Sequence, residues 1–326
     1  MSSFANQVYN VSRKWLTVTF LAACPIQFFV NAPFGRFSPS NESWMMVDGI
    51  KAWIIMELFS PAVFLYAYIT SPISYYDPPL PAWDSPQSIL AGLYLVHYAN
   101  RALINPLRTP SRSKSHIIVP LSAIAFNIVN GFIQGSYLSS PYARMYLNKG
   151  YTFQRSSFYL GLGLWFVGFI GNIVHDEILL DIRRKAKSKG KGKADDQDKK
   201  KVQGPSTKEH YAIPYGLLYK FISYPNYLCE WIEWFGFALA AAPLPIEPSM
   251  SGLIKAMMNI FSVETIKMIV FSPAHLFAPN LAAPYIFFIC EILAMLPRAY
   301  NGHKWYKITF GDNYPEERKA VIPFVL

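Results

Sequence analysis

Seven long runs of mostly apolar residues, at about 15–30, 47–69, 86–107, 116–139, 156–182, 222–243 and 282–298, constrain this chain more than any other feature. Each is near or within the roughly 17–25 residues that carry a helix across a bilayer. Hydrocarbon admits only helices and closed barrels, because every backbone N–H and C=O must be satisfied internally. These runs do not alternate apolar with polar residues, which excludes a barrel. The expected fold is all-α, a polytopic membrane protein built as a seven-transmembrane-helix bundle. Composition agrees, with 15% charged residues against about 25% in soluble domains. The first run lacks a small-x-small cleavage site at its far end and more runs follow, so it reads as a first helix rather than a signal peptide.

Charge is the second constraint. The net charge of +10 is concentrated in residues 183–208, where eleven Lys or Arg and three Asp leave +8. The remainder is nearly neutral, so no nucleic-acid groove is expected. Residues 184–208 lack the apolar content to order themselves and read as a disordered basic cytosolic loop, with contact to anionic lipid as its functional reading. Residues 244–280, carrying four prolines, read as a long connection on the opposite, luminal side, with an interfacial helix near 251–270. Short loops with Lys and Arg mark the cytosolic face. By that rule Arg108, Arg112 and Lys114, the 184–208 stretch and the C-terminal tail face the cytosol, while residues 70–85 face the lumen. An odd number of spans then puts the N-terminus in the lumen, against which Arg13 and Lys14 argue. The whole chain, 1–326, forms a single membrane-embedded domain.

Ionisable residues inside spans are costly to bury, so each is a candidate for function. Trp53 and Glu57 lie four apart; Tyr98 and Arg101 lie three apart beside His97; Asn172 and Asp176 lie four apart, with Arg183 seven further on; and Asn226, Glu230 and Glu233 follow at i, i+4 and i+7. Each spacing draws a polar stripe on an apolar helix. Together they suggest one polar chamber opening to the cytosol, although any single stripe also fits an interhelical hydrogen-bond latch. Cys24, Cys229 and Cys290 are scattered among apolar residues, and no His or Cys pair stands at ligand spacing, so no metal is expected. Gly161-Leu162-Gly163 with Gly168 misses the dinucleotide fingerprint and has no strand before it, which favours close helix packing.

The order of short motifs is more specific. The chain ends in Arg298-Ala299-Tyr300-Asn301-Gly302-His303-Lys304-Trp305-Tyr306, then Asp312-Asn313-Tyr314-Pro315, Arg318-Lys319-Ala320 and Ile322-Pro323-Phe324. Upstream stand Asn130-Gly-Phe-Ile-Gln134, Asn172-Ile-Val-His175-Asp176 with Arg183, Tyr211-Ala-Ile-Pro214, and Pro225-Asn226 through Glu230 to Trp234. In this order the blocks resemble the steroid 5-alpha-reductase family.

That resemblance implies a reductase of the endoplasmic reticulum with a cytosolic C-terminus. Its cofactor would be NADPH, entering from the cytosolic side and held by Asn172, Asp176, Arg183, Tyr211, Asn226, Glu230, Arg298, Tyr306 and, by a looser alignment, Arg108. Glu57 and Tyr98 match the pair that grips a substrate ketone, with Trp53 and Met56 beside them. Hydride would go to the β carbon of a 3-oxo-Δ4-steroid or sterol-like enone, with charge building on the carbonyl oxygen. Met56 stands where the family's steroid reductases carry Gln, which leaves substrate identity open. The rival readings are a reductase of another lipid, such as a polyprenol or a long-chain enoyl thioester, and a non-catalytic lipid-binding or transport bundle.

Overall fold

The computed structural model describes residues 4–38, 44–76, 78–192, 211–246, 249, 251–252, 254 and 262–326. Its helices are α1 (Phe4–Gln27), α2 (Gly49–Thr70), α3 (Pro86–Tyr98), α4 (Ile118–Ser139), α5 (Ser156–Gly192), α6 (Pro225–Ala241), α7 (Val263–Phe271) and α8 (Ala283–Phe310), joined by shorter turns. The described extended pairing is slight: Met46–Val47 and Ser115–His116 form a two-residue antiparallel ladder, and Ile222 bridges Lys319. The all-α expectation stands in that form.

Local sequence chemistry sets the helix starts. The Asp48 carboxylate accepts from the backbone N–H of Ile50 and Lys51 at 3.0 and 2.8 Å to open α2, while Ser85 caps α3 just before Pro86. Both satisfy N–H groups that the helix itself leaves unpaired. Pro284 occupies the first turn of α8, where a missing N–H costs nothing.

Close packing follows the glycines. A Cβ at Gly131 or Gly135 of α4 would strike the carbonyl oxygens of Ser60 and Phe64 on α2. Gly161 and Gly168 of α5 meet the α6 backbone in the same way, so the glycine-rich segment serves helix contact, as its sequence suggests. The apolar core between these pairs is aromatic: Phe64 stacks on Tyr94 at 4.1 Å, and Trp234 meets the edge of Phe287 at 4.5 Å. Large apolar side chains such as Ile55, Tyr66 and Ile69 of α2 and Phe166, Val167 and Ile170 of α5 point outward, as a lipid-facing surface requires.

Four helices are long and apolar enough to cross a membrane: Gly49–Thr70, Ile118–Ser139, Ser156–Ser188 and Ala283–Asn313. The seven expected spans therefore reduce, on length and composition, to four among the described residues. α3 has 13 residues and α6 has 17, and α1 begins at Phe4 rather than near residue 15, which adds a polar first half. The 184–208 expectation also changes. Residues 184–192 continue α5 as helix, and 193–208 lie outside the described residues. Within 244–280, the expected helix is found at Val263–Phe271, while residues 255–261 lie outside the description.

Arg13 and Lys14 are not surface charges. Both are buried; Arg13 donates to the carbonyls of Ala278 and Leu281 at 2.9 and 2.5 Å, and Lys14 to those of Val270 and Ser272 at 2.6 and 2.5 Å. Lys14 thereby satisfies carbonyls at the C-terminal end of α7, where a cation is favoured. These two residues staple the 270–281 connection to α1 and carry no weight as loop charges in the orientation rule.

Candidate active site

The site begins where α3 loses its regular ladder. Pro106 has no N–H to give the carbonyl one turn back, and its ring crowds that turn. Residues Ala99–Ile104 accordingly form a π-helical turn before helix resumes at Asn105–Arg108. Such widened turns re-aim side chains. Here Asn100, Arg101 and Asn105 all line one cavity.

Two cavities share a wall. The first, about 210 Å³, is polar and is lined by Arg36, Arg112, Asn172, Asp176, Arg183, Tyr211 and Asn226, among others. The second, about 380 Å³, is more apolar, with Phe20, Met56, Ala123, Phe126 and Phe287 beside Glu57, Tyr98, Glu230 and Glu291. Trp53, His97, Arg101, Arg112, Met295 and Arg298 border both. The second volume, about 380 Å³, lies within the range of small-molecule sites, roughly 300–1,000 Å³.

Arg101 joins the two. Its Nε lies 3.5 Å from the Glu57 carboxylate, its Nη1 lies 3.4 Å from that of Glu230, and its guanidinium sits 4.8 Å from the centre of the Trp53 ring. Trp53 is itself oriented by donating from Nε1 to the carbonyl of Arg101 at 3.1 Å. On the polar side, Asp176 accepts from Asn105 and Asn226, each at 3.0 Å, and Asn172 donates to Glu230 at 3.2 Å. The Asn105–Arg108 turn that follows α3, together with α5 and α6, is thus tied around the Asp176 carboxylate.

The apolar chamber has its own framework. Asn130, fully buried, donates to the Tyr98 oxygen at 3.4 Å and the Tyr94 oxygen at 3.2 Å, and Tyr94 and Ser60 share a hydrogen bond of 2.6 Å. Gln134 donates to the Ala283 carbonyl at 2.9 Å, tying α4 to the start of α8. Asn127 donates to the Met56 carbonyl at 2.8 Å. The Asn-Gly-Phe-Ile-Gln block therefore fixes Tyr98 and two neighbouring helices together.

Arg36 was absent from the sequence-derived candidates. Its guanidinium packs over four rings, with centroid distances of 4.6 Å to Tyr306, 4.7 Å to Trp305, 5.1 Å to Tyr211 and 5.7 Å to Tyr224. Burial alone would lower its pKa, but the hydroxyls of Tyr224, Tyr306 and Tyr211 outweigh that and hold it above the ordinary arginine value. Its buried Nη1 has no hydrogen-bond partner among the described residues.

The structure brings most of the sequence candidates together. Trp53, Met56, Glu57, Tyr98 and Glu230 line the apolar cavity, and Asn172, Asp176, Arg183, Tyr211, Asn226 and Arg298 line the polar one. Tyr306 reaches the site through Arg36 and stacks on Tyr314 at 5.4 Å. Arg108 lines neither cavity; its Nη2 pairs with Glu177 at 2.8 Å, and it is half-exposed. The C-terminal motif closes this end of the bundle. Ser223 Oγ shares hydrogen bonds of 2.6 Å with His303 and Tyr314, and buried Arg318 donates to the Pro214 carbonyl at 3.2 Å. Besides Arg36, sequence reasoning passed over Glu291. The cost of an ionisable residue inside a span was the signal that could have found it.

The sequence profile of the 3-oxo-5-alpha-steroid 4-dehydrogenase family matches residues 113–193, 197–248 and 255–326. The chain belongs to this family. It is accordingly an oxidoreductase of the type that acts on CH–CH groups. An uncharacterized protein of Schizosaccharomyces pombe is 36% identical over 98% of this chain and 99% of its own length. Steroid 5-alpha-reductase DET2 of Solanum lycopersicum is 30% identical over 92% of this chain and 89% of its own. The 3-oxo-5-alpha-steroid 4-dehydrogenase 1 of Rattus norvegicus is 29% identical over 91% and 87%. The matched segments of the family profile carry Asn172, Asp176, Arg183, Tyr211, Asn226, Glu230, Arg298 and Tyr306, whereas Glu57 and Tyr98 precede them.

Proposed function

We propose that this chain reduces the carbon–carbon double bond of a lipid enone, a 3-oxo-Δ4-steroid or a sterol-like molecule, with NADPH as the reductant. The observation that carries the reading is the shared wall at Trp53, Arg101 and Arg298, which sets a polar chamber against an apolar one of substrate size.

The polar chamber has the chemistry of a dinucleotide site. Arg36, Arg183 and Arg298 present planar guanidinium forks suited to phosphate oxygens, and Asp176 and Asn172 suit ribose hydroxyls and the carboxamide. NADPH bound there would supply a hydride. Trp53 and the Met56 side chain form apolar walls for the substrate, and the Tyr98 hydroxyl and the Glu57 carboxyl, which must carry its proton to do so, donate to its ketone. Asn130 donates to the Tyr98 oxygen, so that contact does not use the tyrosine O–H, which can turn to the ketone. A fixed donor at the carbonyl oxygen favours the charge that develops there during reduction, and the largely apolar lining of the chamber strengthens that preference.

The same reading completes the topology. α1, α3 and α6 cross the membrane with the four longer helices, giving seven spans in a single domain of 1–326. The N-terminus and the 244–280 connection are luminal; the 184–208 segment, close to anionic lipid, and the C-terminus are cytosolic. Endoplasmic reticulum is the proposed location. The test is turnover: purified protein in detergent, given NADPH and a panel of steroid, sterol, polyprenol-type and enoyl-thioester substrates, should oxidise NADPH with the steroid or sterol enones and yield the saturated product.

A further inference from the structure

One acidic group in the apolar chamber is left over once that mechanism is assigned. On α8, Phe287, Glu291, Ala294, Met295 and Arg298 recur at helical spacing and face the cavity. Glu291 is the single carboxyl of that stripe, two turns from Arg298 and flanked by Phe287 and Met295. Its neighbours are provided for: Glu57 and Glu230 share Arg101, and Glu233 meets His97 at 2.7 Å. Glu291 makes no hydrogen bond or ion pair among the described residues. Its side chain is half-buried and opens onto the cavity, so without a protein partner the carboxyl is left only partly desolvated and free to meet a ligand. The packing of α8 gives no reason to keep it. A ligand does.

We propose that Glu291 is a specificity-determining residue that accepts a hydrogen bond from a hydroxyl on the substrate, so that this chain takes a hydroxylated lipid enone in preference to its deoxy counterpart. The assignment rests on the reductase reading for the substrate class. A hydroxyl is favoured over an amine because the chamber already holds Arg101, Arg112 and Arg298 on its walls, and a further cation would face them. A carboxyl accepts a hydroxyl proton whether or not it is itself ionised. The selectivity has a physical ceiling and floor. A site built to hydrogen-bond a hydroxyl discriminates strongly against the analogue that lacks it, because its own polar group is then left unpaired.

The experiment compares matched Δ4-3-ketosteroids, each hydroxylated at one ring or side-chain position, with the deoxy parent. Both kcat/KM and equilibrium binding of the radiolabelled lipids are measured for wild type, Glu291→Leu and Glu291→Gln in detergent. Wild type should prefer at least one hydroxylated member by about 100-fold or more. Glu291→Leu should cut that preference below about 5-fold while binding the deoxy parent at least as well as wild type does, and Glu291→Gln, whose amide oxygen still accepts, should retain most of it. A preference that survives in Glu291→Leu, or no preference for any hydroxylated member in wild type, overturns the assignment even if enones are reduced. Glu291-dependent binding of a hydroxylated lipid without turnover would uphold it while removing the reductase reading.

Discussion

The guanidinium of Arg101 stands 3.5 Å from the carboxylate of Glu57. The same group reaches Glu230 on α6 at 3.4 Å, so one side chain on the π-turn of α3 connects the proposed substrate grip to the polar chamber. Arg101→Leu would leave two enclosed carboxylates without their cation. The expected cost is about 3 kcal/mol, at the lower end for breaking a buried pair because Arg101 is partly open to the cavity. Arg101→Lys keeps the charge but loses the fork that serves both acids, and should fall between. Thermal unfolding in detergent, read with NADPH turnover, checks the order; equal stability of Arg101→Leu and wild type would contradict it.

Two arginines on the same face of the protein should behave differently. Arg183 lines the polar cavity, whereas Arg108 is occupied by Glu177 outside it. Arg183→Ala should weaken NADPH binding by roughly 1.5–3 kcal/mol, the scale of a hydrogen bond to a charged group. Arg108→Ala should leave it nearly unchanged. Calorimetric titration of the two variants separates them, and the reverse order would move the phosphate site.

Helix contact makes a third, structural prediction. Gly168 of α5 has the backbone of Cys229 and Glu233 where a Cβ would go. Gly168→Val should therefore force α5 from α6 and destabilise by about 1–3 kcal/mol, loosening the Asn172 to Glu230 bond that spans them. Gly163, with open space around its missing Cβ, is the control. Gly163→Ala should unfold at the wild-type temperature.

Orientation can be read from outside. A tag inserted among residues 189–201 should be reached by a membrane-impermeant reagent from the cytosolic face of sealed microsomes. Asn41, in an Asn-Glu-Ser sequon and outside the described residues, should remain without glycan. Glycan on Asn41 would place its segment in the lumen and reverse the proposed topology.

The sequence made the bundle legible because hydropathy and helical spacing act locally. The stripes set Asn172, Asp176 and Asn226 toward one shared chamber, and in the structure Asn226 donates to Asp176 there. What it concealed depends on contacts far apart in the chain. Arg36 lies in a short turn with no periodicity, and its ring of aromatics is contributed by residues 211, 224, 305 and 306. Arg13 and Lys14 looked like loop charges because nothing near them in sequence shows the carbonyls at 270–281 that they satisfy. The change from an apolar to a polar run near residue 298 suggested the end of a span, yet α8 continues to Phe310, since a helix ladder is indifferent to which solvent its side chains meet.

The central claim is that Glu57 and Tyr98 hold the ketone of an enone reduced with NADPH. The most direct measurement is single-turnover reduction by purified protein, with NADPH affinity determined in parallel, for wild type, Glu57→Leu and Tyr98→Phe on the best enone of the panel. Loss of such a contact is worth on the order of 100–1,000-fold in rate by analogy with oxyanion-hole deletions. The account predicts a loss of that size in Glu57→Leu and a clear loss in Tyr98→Phe, with NADPH binding within about twofold of wild type in both. Wild-type turnover by Glu57→Leu would contradict it.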